Sequence, residues 1–250
     1  MIKKAIQFWL DFLFPKNCLV CQDEGQYLCS KCLRNLKSKD PHCPNCSVPS
    51  KLGEFCSKCK DKFTLKGVLI AGDFSDKNLA NLIKAYKYNF IKDLGEPLGL
   101  FLVNFLKNNI GVNPLLQKSS SDLNLELSSD LSLDLKNYLL IPVPLSKKRL
   151  RWRGFNQSQI LAEKIAQDLC LDICQDLIRS KHKIAQAKLN KKARQKNLAG
   201  CFKWQGENLR GQNIIIVDDV CTTGSTLEEI AKELRQAGAG EIWGLVLAQG

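Results

Sequence analysis

The chain of 250 residues has no apolar run that approaches the roughly 18 to 20 residues needed to span a bilayer. The most apolar stretch near its start, Ile6 to Phe14, is interrupted by Gln7 and Asp11, and no small-x-small cleavage site follows it. We therefore expect a short amphipathic helix there, and neither a membrane span nor a cleaved signal peptide. Compositional extremes are missing too, since 44% of the residues are hydrophobic and 25% are charged, which excludes wholesale disorder and fibrous repeats.

Cysteine, by contrast, is abundant: eight of the twelve cysteines form four Cys-x-x-Cys pairs in the first quarter of the chain. A disulfide between two such closely spaced cysteines is geometrically awkward, whereas the two sulfurs of one turn can bind one tetrahedral metal ion. The pairs therefore predict zinc sites, and four thiolate ligands leave no open position for water, which indicates structural rather than catalytic zinc. The predicted ligands are Cys18, Cys21, Cys29, Cys32, Cys43, Cys46, Cys56 and Cys59.

The way in which the four pairs combine is open at this point. Taken in sequence order, the first two pairs hold one zinc ion and the last two pairs a second; in a cross-braced arrangement, the first pair combines with the third and the second with the fourth. A segment of about 45 residues has a marginal hydrophobic core, so metal binding contributes directly to its folding. Scaffolding is the simplest role for such a double ribbon, and contact with nucleic acid or with a protein partner is the alternative. So many reduced thiols predict a cytoplasmic location.

The net charge of +12 is concentrated in one part of the chain. Residues 147–210 hold 16 lysines and arginines against 5 acidic residues, a net charge of +11. A basic surface of this kind attracts phosphate groups, either on a small substrate or on nucleic acid. The alternative is an ordinary solvated surface, which is a stronger interpretation for residues 188–196 than for the cluster that begins at Lys147.

From Gly67 onward, the apolar pattern predicts alternating strands and helices. Amphipathic spacing predicts helices at 79–87, 94–107, 157–169 and 225–236, and apolar runs predict strands at 67–74, 138–143, 213–217 and 241–247. The alternation predicts an α/β domain at residues 63–250, with a parallel sheet flanked by helices, behind an N-terminal helix and zinc-ribbon domain at 1–62. Residues 111–136, rich in Ser, Leu, Asp and Asn, predict a mobile low-complexity insertion, or alternatively a weak helix.

The sharpest signal is the segment 214–226, IIIVDDVCTTGST. In a parallel sheet, ligands bind outside the carboxyl ends of the strands, where this strand places Asp218 and Asp219 ahead of a loop rich in hydroxyls. Gly224 lets the backbone approach an anion, and the N–H groups at the start of the next helix favour a phosphate. The acids suit the hydroxyls of a sugar and the positive charge that develops at its anomeric carbon. The segment therefore predicts a site for a phosphorylated ribose, with its phosphate on Thr222, Thr223, Gly224, Ser225 and Thr226.

This segment resembles the signature of type I phosphoribosyltransferases, which binds phosphoribosyl pyrophosphate (PRPP). Along most of the chain, the resemblance extends to the ComF family of competence-associated proteins (ComFC and GntX-like). The matching pieces are the cysteine pairs, residues 86–88, 142–145, 151–158 and 197–202, and Gln186 with Leu189. One departure is Lys183, where family members usually carry Thr, and it concerns contacts to the acceptor. Residues 111–136 have no counterpart.

The resemblance implies a type I phosphoribosyltransferase fold, with Asp218 and Asp219 on the ribose hydroxyls and the loop 222–226 on the 5-phosphate. It implies that the loop after the 138–143 strand meets the pyrophosphate, with Lys147, Lys148 and Arg149 as candidate charges. Mg²⁺ would bridge pyrophosphate and ribose oxygens and keep most of its waters, without a dedicated protein cage. Residues 183–196 would form a flap that closes over the donor, and pyrophosphate would leave through an oxocarbenium-like state.

Two interpretations compete for the segment from Arg151 to Gln157. Either Arg151 and Arg153 contact pyrophosphate or single-stranded DNA, with Phe155 as a stacking face, or the arginines are solvated while Phe155 packs in the core and Asn156 caps a helix. The function implied by the resemblance is PRPP binding in natural competence and DNA uptake. The protein then either transfers the phosphoribosyl group to an acceptor or acts as a nucleic-acid and PRPP-binding adaptor that recruits a helicase or recombination mediator.

Overall fold

The computed structural model describes residues 16–110, 134–180 and 200–250. The expected N-terminal helix, most of the expected insertion and the expected flap lie outside these ranges. The described helices are α1 (Ser30–Arg34), α2 (Lys77–Tyr88), α3 (Gly95–Ile110), α4 (Lys147–Arg153), α5 (Gln157–Leu169) and α6 (Ser225–Gln236). The described strands are β1 (Gly67–Asp73), β2 (Tyr138–Pro142), β3 (Leu177–Arg179), β4 (Phe202–Trp204), β5 (Asn213–Cys221) and β6 (Ile242–Gln249). No helix in the described ranges has the length and apolar character needed to cross a membrane.

Four of the strands form a parallel sheet in the order β1–β6–β5–β2, which confirms the predicted α/β architecture. One face of the sheet packs against α2, α3 and α5, and the other packs against α6 and the antiparallel ribbon of β3 and β4. All four residues of β5 from Ile214 to Val217 are buried because both faces are covered. The carboxyl ends of β2 and β5 therefore meet at one edge of the sheet, where ligands bind in folds of this kind.

Strand β5 is longer than its apolar run. The run predicts an end at Val217, but pairing with β6 continues from Asp218, opposite Val246, to Cys221, opposite Gln249. Backbone hydrogen bonds thus hold both acidic residues within the last part of the strand. Their positions are fixed by the sheet and not by a loop.

The start of α5 joins two elements of the site. Leu161, Ala162 and Ile165 are buried at the spacing that predicts this helix. Asn156 occupies the N-cap position, but its side chain makes no capping bond, and its Nδ2 donates to the carbonyl oxygen of Val143 at 3.1 Å. The capping role considered for Asn156 is therefore wrong, and this side chain instead ties the start of α5 to the residue that follows β2.

The two cysteine-rich modules, the first from Cys18 to Cys32 and the second from Cys43 to Cys59, both pack against the sheet. Leu28 and Leu33 lie in the core that also contains α2 and α3, while Phe55 lies in the core that contains α6. The carboxylate of Glu228, on α6, accepts hydrogen bonds from the N–H groups of Thr64 and Leu65 at 2.9–3.4 Å. The segment after Cys59, the last of the eight paired cysteines, is therefore bound to the helix that begins at the predicted phosphate loop.

The chain re-enters the core before the expected end of the insertion at residue 136. Leu135 is buried in a 3-10 turn, Leu135–Asn137, that leads directly into β2. The described residues of this stretch therefore belong to the folded core, and an insertion is left as an expectation only for residues outside the described ranges.

Candidate functional site

The eight paired cysteines form two groups of four in sequence order. In each group, the four sulfurs lie within 4.8 Å of one another, which excludes the cross-braced alternative. The Cys21 and Cys29 sulfurs are 3.7 Å apart and the Cys46 and Cys56 sulfurs 3.6 Å apart. A tetrahedral zinc ion with Zn–S bonds of about 2.3 Å requires sulfurs about 3.8 Å apart. The two groups thus fit two structural zinc sites.

Nearby N–H groups donate hydrogen bonds to several of these cysteine sulfurs. Cys29 caps α1 and its sulfur accepts a hydrogen bond from the N–H of Cys32, while Asn45 Nδ2 donates to the sulfur of Cys59. Burial opposes ionisation of Cys18 and Cys43, but backbone N–H groups around each sulfur outweigh burial and lower the pKa of both thiols to about 6. Since the thiolate is the ligand, these N–H groups favour metal binding.

The segment between β5 and α6 turns at Gly224, whose φ of 71° lies in the left-handed region that favours glycine. Immediately after it, Ser225 begins α6, and the hydroxyls of Thr223 and Ser225 are 2.8 Å apart. The acidic residue of the first helical turn is Glu228, and its carboxylate accepts hydrogen bonds from the backbone N–H groups of residues 64 and 65. The N-terminal end of α6 therefore combines hydroxyls and the positive end of the helix dipole, as an anion site requires.

The carboxyl group of Asp218 faces α5. Its Oδ1 accepts hydrogen bonds from Ser158 Oγ at 2.9 Å and from the N–H of Asp219 at 2.8 Å. Burial, and next the charge of Asp219, raise the pKa of Asp218 to about 7, although Lys87 acts in the opposite direction. Near neutral pH, this group therefore exists in both protonated and ionised forms.

The carboxylate of Asp219 faces α2 instead. It is 7% exposed and forms an ion pair with Lys87, whose Nζ lies 2.7 Å from Asp219 Oδ1. The two adjacent acids are thus held by different partners, a hydroxyl and an ammonium group. The sequence pattern predicted both acids as site residues but did not indicate Lys87 or Ser158, although both lie in segments that carry the family resemblance.

Helix α4 begins beside the acid pair because it follows β2, the strand next to β5. Its N-cap is Ser146, whose Oγ accepts the N–H of Arg149. Arg153 alone among the predicted cations is half-buried, and its Nη1 donates to Gln157 Oε1 at 2.6 Å. The structure therefore directs Arg153 toward the residues around the acid pair and leaves the other four exposed to solvent: Lys147, Lys148, Arg149 and Arg151.

Three exposed aromatic side chains lie together, one of them on α4 and two at the end of α2 or just after it. Trp152 is 59% exposed, Tyr88 58% and Phe90 39%, and the rings of Phe90 and Trp152 are 4.8 Å apart, edge to face. The Arg153 guanidinium lies 5.9 Å from the ring centres of both Tyr88 and Trp152. Phe155, considered above as a stacking face, is buried against Tyr86 instead. We call Tyr88, Phe90 and Trp152 the aromatic surface.

Comparison with protein families divides the chain into two matched segments. A family model described as a double zinc ribbon domain matches residues 9–60, and a model described as a phosphoribosyl transferase domain matches residues 156–249. The second segment contains the acid pair and the turn at Gly224, whereas α2 with Lys87 and α4 with Arg153 lie outside it. The sequence of the second segment therefore agrees with the parallel sheet and the loop that the structure describes.

Three curated relatives resemble the chain over most of its length. It is 30% identical to competence protein F of Haemophilus influenzae, over 88% of this chain and 90% of that one. It is 31% identical to competence protein ComFC of Bacillus subtilis, over 93% of this chain and 87% of that one. It is 28% identical to the DNA utilization protein YhgH of Escherichia coli K12, over 86% of this chain and 88% of that one.

Proposed function

The chain belongs to the ComF family of competence proteins. We propose that it binds PRPP with Mg²⁺ where β5 meets α6, and that it acts in the cytoplasm during DNA uptake. The observation that carries the proposal is the acid pair at the end of β5, followed at once by the hydroxyl-rich turn at Gly224. Asp218 and Asp219 accept hydrogen bonds from the ribose hydroxyls. The 5-phosphate binds the turn 222–226 and the N–H groups at the start of α6.

We propose that Mg²⁺ binds as a complex with PRPP and not at a site formed by the protein alone. Asp219 is already paired with Lys87, and Asp218 already accepts two hydrogen bonds, so the acid pair does not form a carboxylate cage of its own. When bound, Mg²⁺ would supply charge that neutralises the pyrophosphate. The residues of this chain bind and orient the donor, and the buried carboxylates stabilise positive charge at the anomeric carbon as pyrophosphate departs.

Calorimetric titration of PRPP and Mg²⁺ tests the site. In the double variant Asp218→Asn and Asp219→Asn, we expect PRPP affinity to fall by about 100-fold or more, because two ionisable acceptors of the ribose diol are lost. Asp61→Asn with Glu207→Gln, at two exposed carboxylates, makes the same change of charge and should bind PRPP like the wild type. Equal binding by the wild type and the double variant, or none by the wild type, would refute the assignment.

Two versions of this function differ in turnover. A transferase releases pyrophosphate when it is offered the correct acceptor, whereas an adaptor binds PRPP and recruits a helicase or recombination mediator without consuming the sugar. A screen for pyrophosphate release over nucleobases, nucleosides and oligonucleotides separates the two. Release with one acceptor class, abolished in the double variant, establishes transfer, and tight PRPP binding with no release across the screen supports the adaptor.

A second candidate function, binding of single-stranded DNA, is favoured by the aromatic surface. Exposed rings beside arginines suit unstacked bases, whose stacking contributes about 1–3 kcal/mol per base. Trp152→Ala should therefore weaken binding of a single-stranded oligonucleotide about 10-fold, while Leu150→Ala, at an exposed aliphatic residue of the same helix, should not. Fluorescence anisotropy measures both, and an equal effect of the two variants would contradict base stacking at Trp152.

A further inference from the structure

A partly buried cation faces the acid pair from outside the segment that matches the phosphoribosyl transferase domain. Lys87 lies in the last turn of α2, and its side chain is 19% exposed where it meets Asp219, whose side chain is 10% exposed. Removing two charges from water is costly, and an ion pair in such a place adds little stability by itself. The position of Lys87 therefore requires an explanation beyond stability.

Near Lys87, two buried side-chain donors lack a hydrogen-bond partner among the described residues, and so does one buried acceptor of the same stretch, Asn156 Oδ1. Arg153 Nη1 donates to Gln157 Oε1, but two other donors of this pair, Arg153 Nε and Gln157 Nε2, are buried and have no hydrogen-bond partner among the residues that the structure describes. Gln157 is only 1% exposed. Buried donors without partners are rare in folded proteins because each costs free energy. Their presence points to a ligand with several acceptor atoms.

Contacts between α2 and α5 bring these donors together with Lys87. The hydroxyl of Tyr86, the residue before Lys87, donates to the main-chain carbonyl of Gln157 at 3.1 Å. The ring of Tyr88, the residue after it, lies 5.9 Å from the Arg153 guanidinium. Ser158, the residue after Gln157, donates to Asp218. Lys87 thus contacts the acid pair from α2, while Arg153 ends α4 and Gln157 begins α5 beside Ser158, which contacts Asp218. We call Lys87, Arg153 and Gln157 the donor cluster.

We propose that Lys87, with Arg153 and Gln157, recognises the pyrophosphate of the sugar donor, and that Lys87 thereby distinguishes PRPP from ribose 5-phosphate. This inference rests on the function proposed above. Both ligands carry the diol for the acids and a phosphate for the turn at Gly224, but only PRPP brings a second polyanionic group to the anomeric carbon. An ammonium group has three N–H donors, so Lys87 can retain Asp219 while it donates to a phosphate oxygen.

The test compares two ligands and three variants by calorimetry. Lys87→Met should weaken PRPP binding in the presence of Mg²⁺ by about 10- to 100-fold, the scale expected for removing a charge-assisted hydrogen bond from a buried site. Binding of ribose 5-phosphate should change by less than about threefold, because Asp218 and Asp219 remain for its diol, the turn at Gly224 remains for its phosphate, and it has no pyrophosphate to lose a contact. Lys84→Met, at an exposed lysine one turn earlier in α2, should bind both ligands like the wild type.

Arg153→Met provides a second measurement, in case Lys87→Met does not fold. It should show the same selective loss of PRPP binding, because it removes a different member of the donor cluster. Equal loss of both ligands in these variants would mean that the cluster only supports the acid pair, and unchanged PRPP binding would mean that it plays no part; each result overturns the inference. The proposed function survives both results, and it fails together with the inference if the wild type does not bind PRPP.

Discussion

At the scale of single residues, the two acids at the end of β5 differ in what they contribute to stability. Asp218 has its pKa raised to about 7, chiefly by burial, whereas Asp219 has a nearby counter-charge in Lys87. Keeping Asp218 ionised above pH 7 therefore costs the folded state free energy, while Asp219 is part of an ion pair that the fold retains. Binding a sugar diol at neutral pH would be a reason to tolerate this cost.

Asp218→Asn should stabilise the protein at alkaline pH. In wild type, the folded state binds the Asp218 proton more tightly than the unfolded state does, so stability from this group is present at low pH and is lost as pH rises toward about 7. The amide Oδ1 can still accept from Ser158 and from the Asp219 N–H. At pH 8, we expect the variant to be more stable by on the order of 2–4 kcal/mol, falling to near zero at pH 4. Urea unfolding at both pH values measures this difference.

Asp219→Asn serves as the contrasting control one residue away. It leaves the Lys87 ammonium group largely buried without its carboxylate, so we expect a loss of about 1–3 kcal/mol at pH 8. Effects of the same sign in both variants would show that the partners of the two acids do not control stability in this way.

At the scale of elements, Glu228 connects α6 to the end of the second cysteine module. Its buried carboxylate accepts N–H groups of Thr64 and Leu65, and a few residues further on the chain enters β1. His42, in the same module, contacts Gln249 Oε1 at the end of β6, at 2.8 Å. The module is therefore attached to the sheet close to both ends of the predicted phosphate loop.

Glu228→Ala should destabilise the protein by about 2–4 kcal/mol, because buried N–H groups lose a charged acceptor. Glu229→Ala, the neighbouring position, removes an ion pair with Lys232 on the same helix and should cost less than about 0.5 kcal/mol. Thermal unfolding of both variants checks the difference. A similar loss in the two variants would mean that Glu228 does not anchor the module.

Zinc content tests the second cysteine group directly. Cys46→Ser removes one of four thiolates, so bound zinc should fall from two ions to one per chain, measured by elemental analysis after dialysis. Cys170→Ser changes an exposed cysteine outside both groups and should retain two ions. Two ions in Cys46→Ser, or fewer than two in the Cys170 variant, would contradict this ligand assignment.

Features that depend on short-range patterns could be predicted from the sequence. The apolar spacing predicted α5 and α6 with their observed bounds, and the cysteine spacing predicted the eight zinc ligands, although it left open how they combine into two groups. The acid pair could also be placed, because parallel sheets bind ligands at the carboxyl ends of their strands. The approach of Lys87 to Asp219 could not be predicted, and the burial of Phe155 was only one of two interpretations, since each depends on packing between segments that lie far apart in the chain.

At the scale of the whole molecule, the positive charge is concentrated in one segment of the sequence, residues 147–210, and the remainder of the chain is almost neutral. Within the described part of this segment, four cations of α4 are exposed beside the aromatic surface. These four cations attract a polyanion to α4.

Binding of single-stranded DNA should therefore depend steeply on salt. Each phosphate contact contributes about 0.7 to the slope of log affinity against log salt, so Lys147→Gln with Lys148→Gln should reduce this slope by about 1.4. The matched pair Lys60→Gln and Lys62→Gln, exposed in the ribbon, should leave the slope unchanged. Anisotropy titrations across a salt series measure it, and a larger effect of the ribbon pair would place the nucleic acid on the zinc module instead.

The position of β6 between β1 and β5 constrains how the protein is made. Neither neighbour pairs with the other, so the sheet stays divided until residues 242–249 have left the ribosome. During synthesis, the edges of β1 and β5 that pair with β6 therefore stay unpaired, and unpaired strand edges promote aggregation. A nascent chain stalled before residue 242 would already carry both acids, yet it would lack the strand that pairs with β5 beside them.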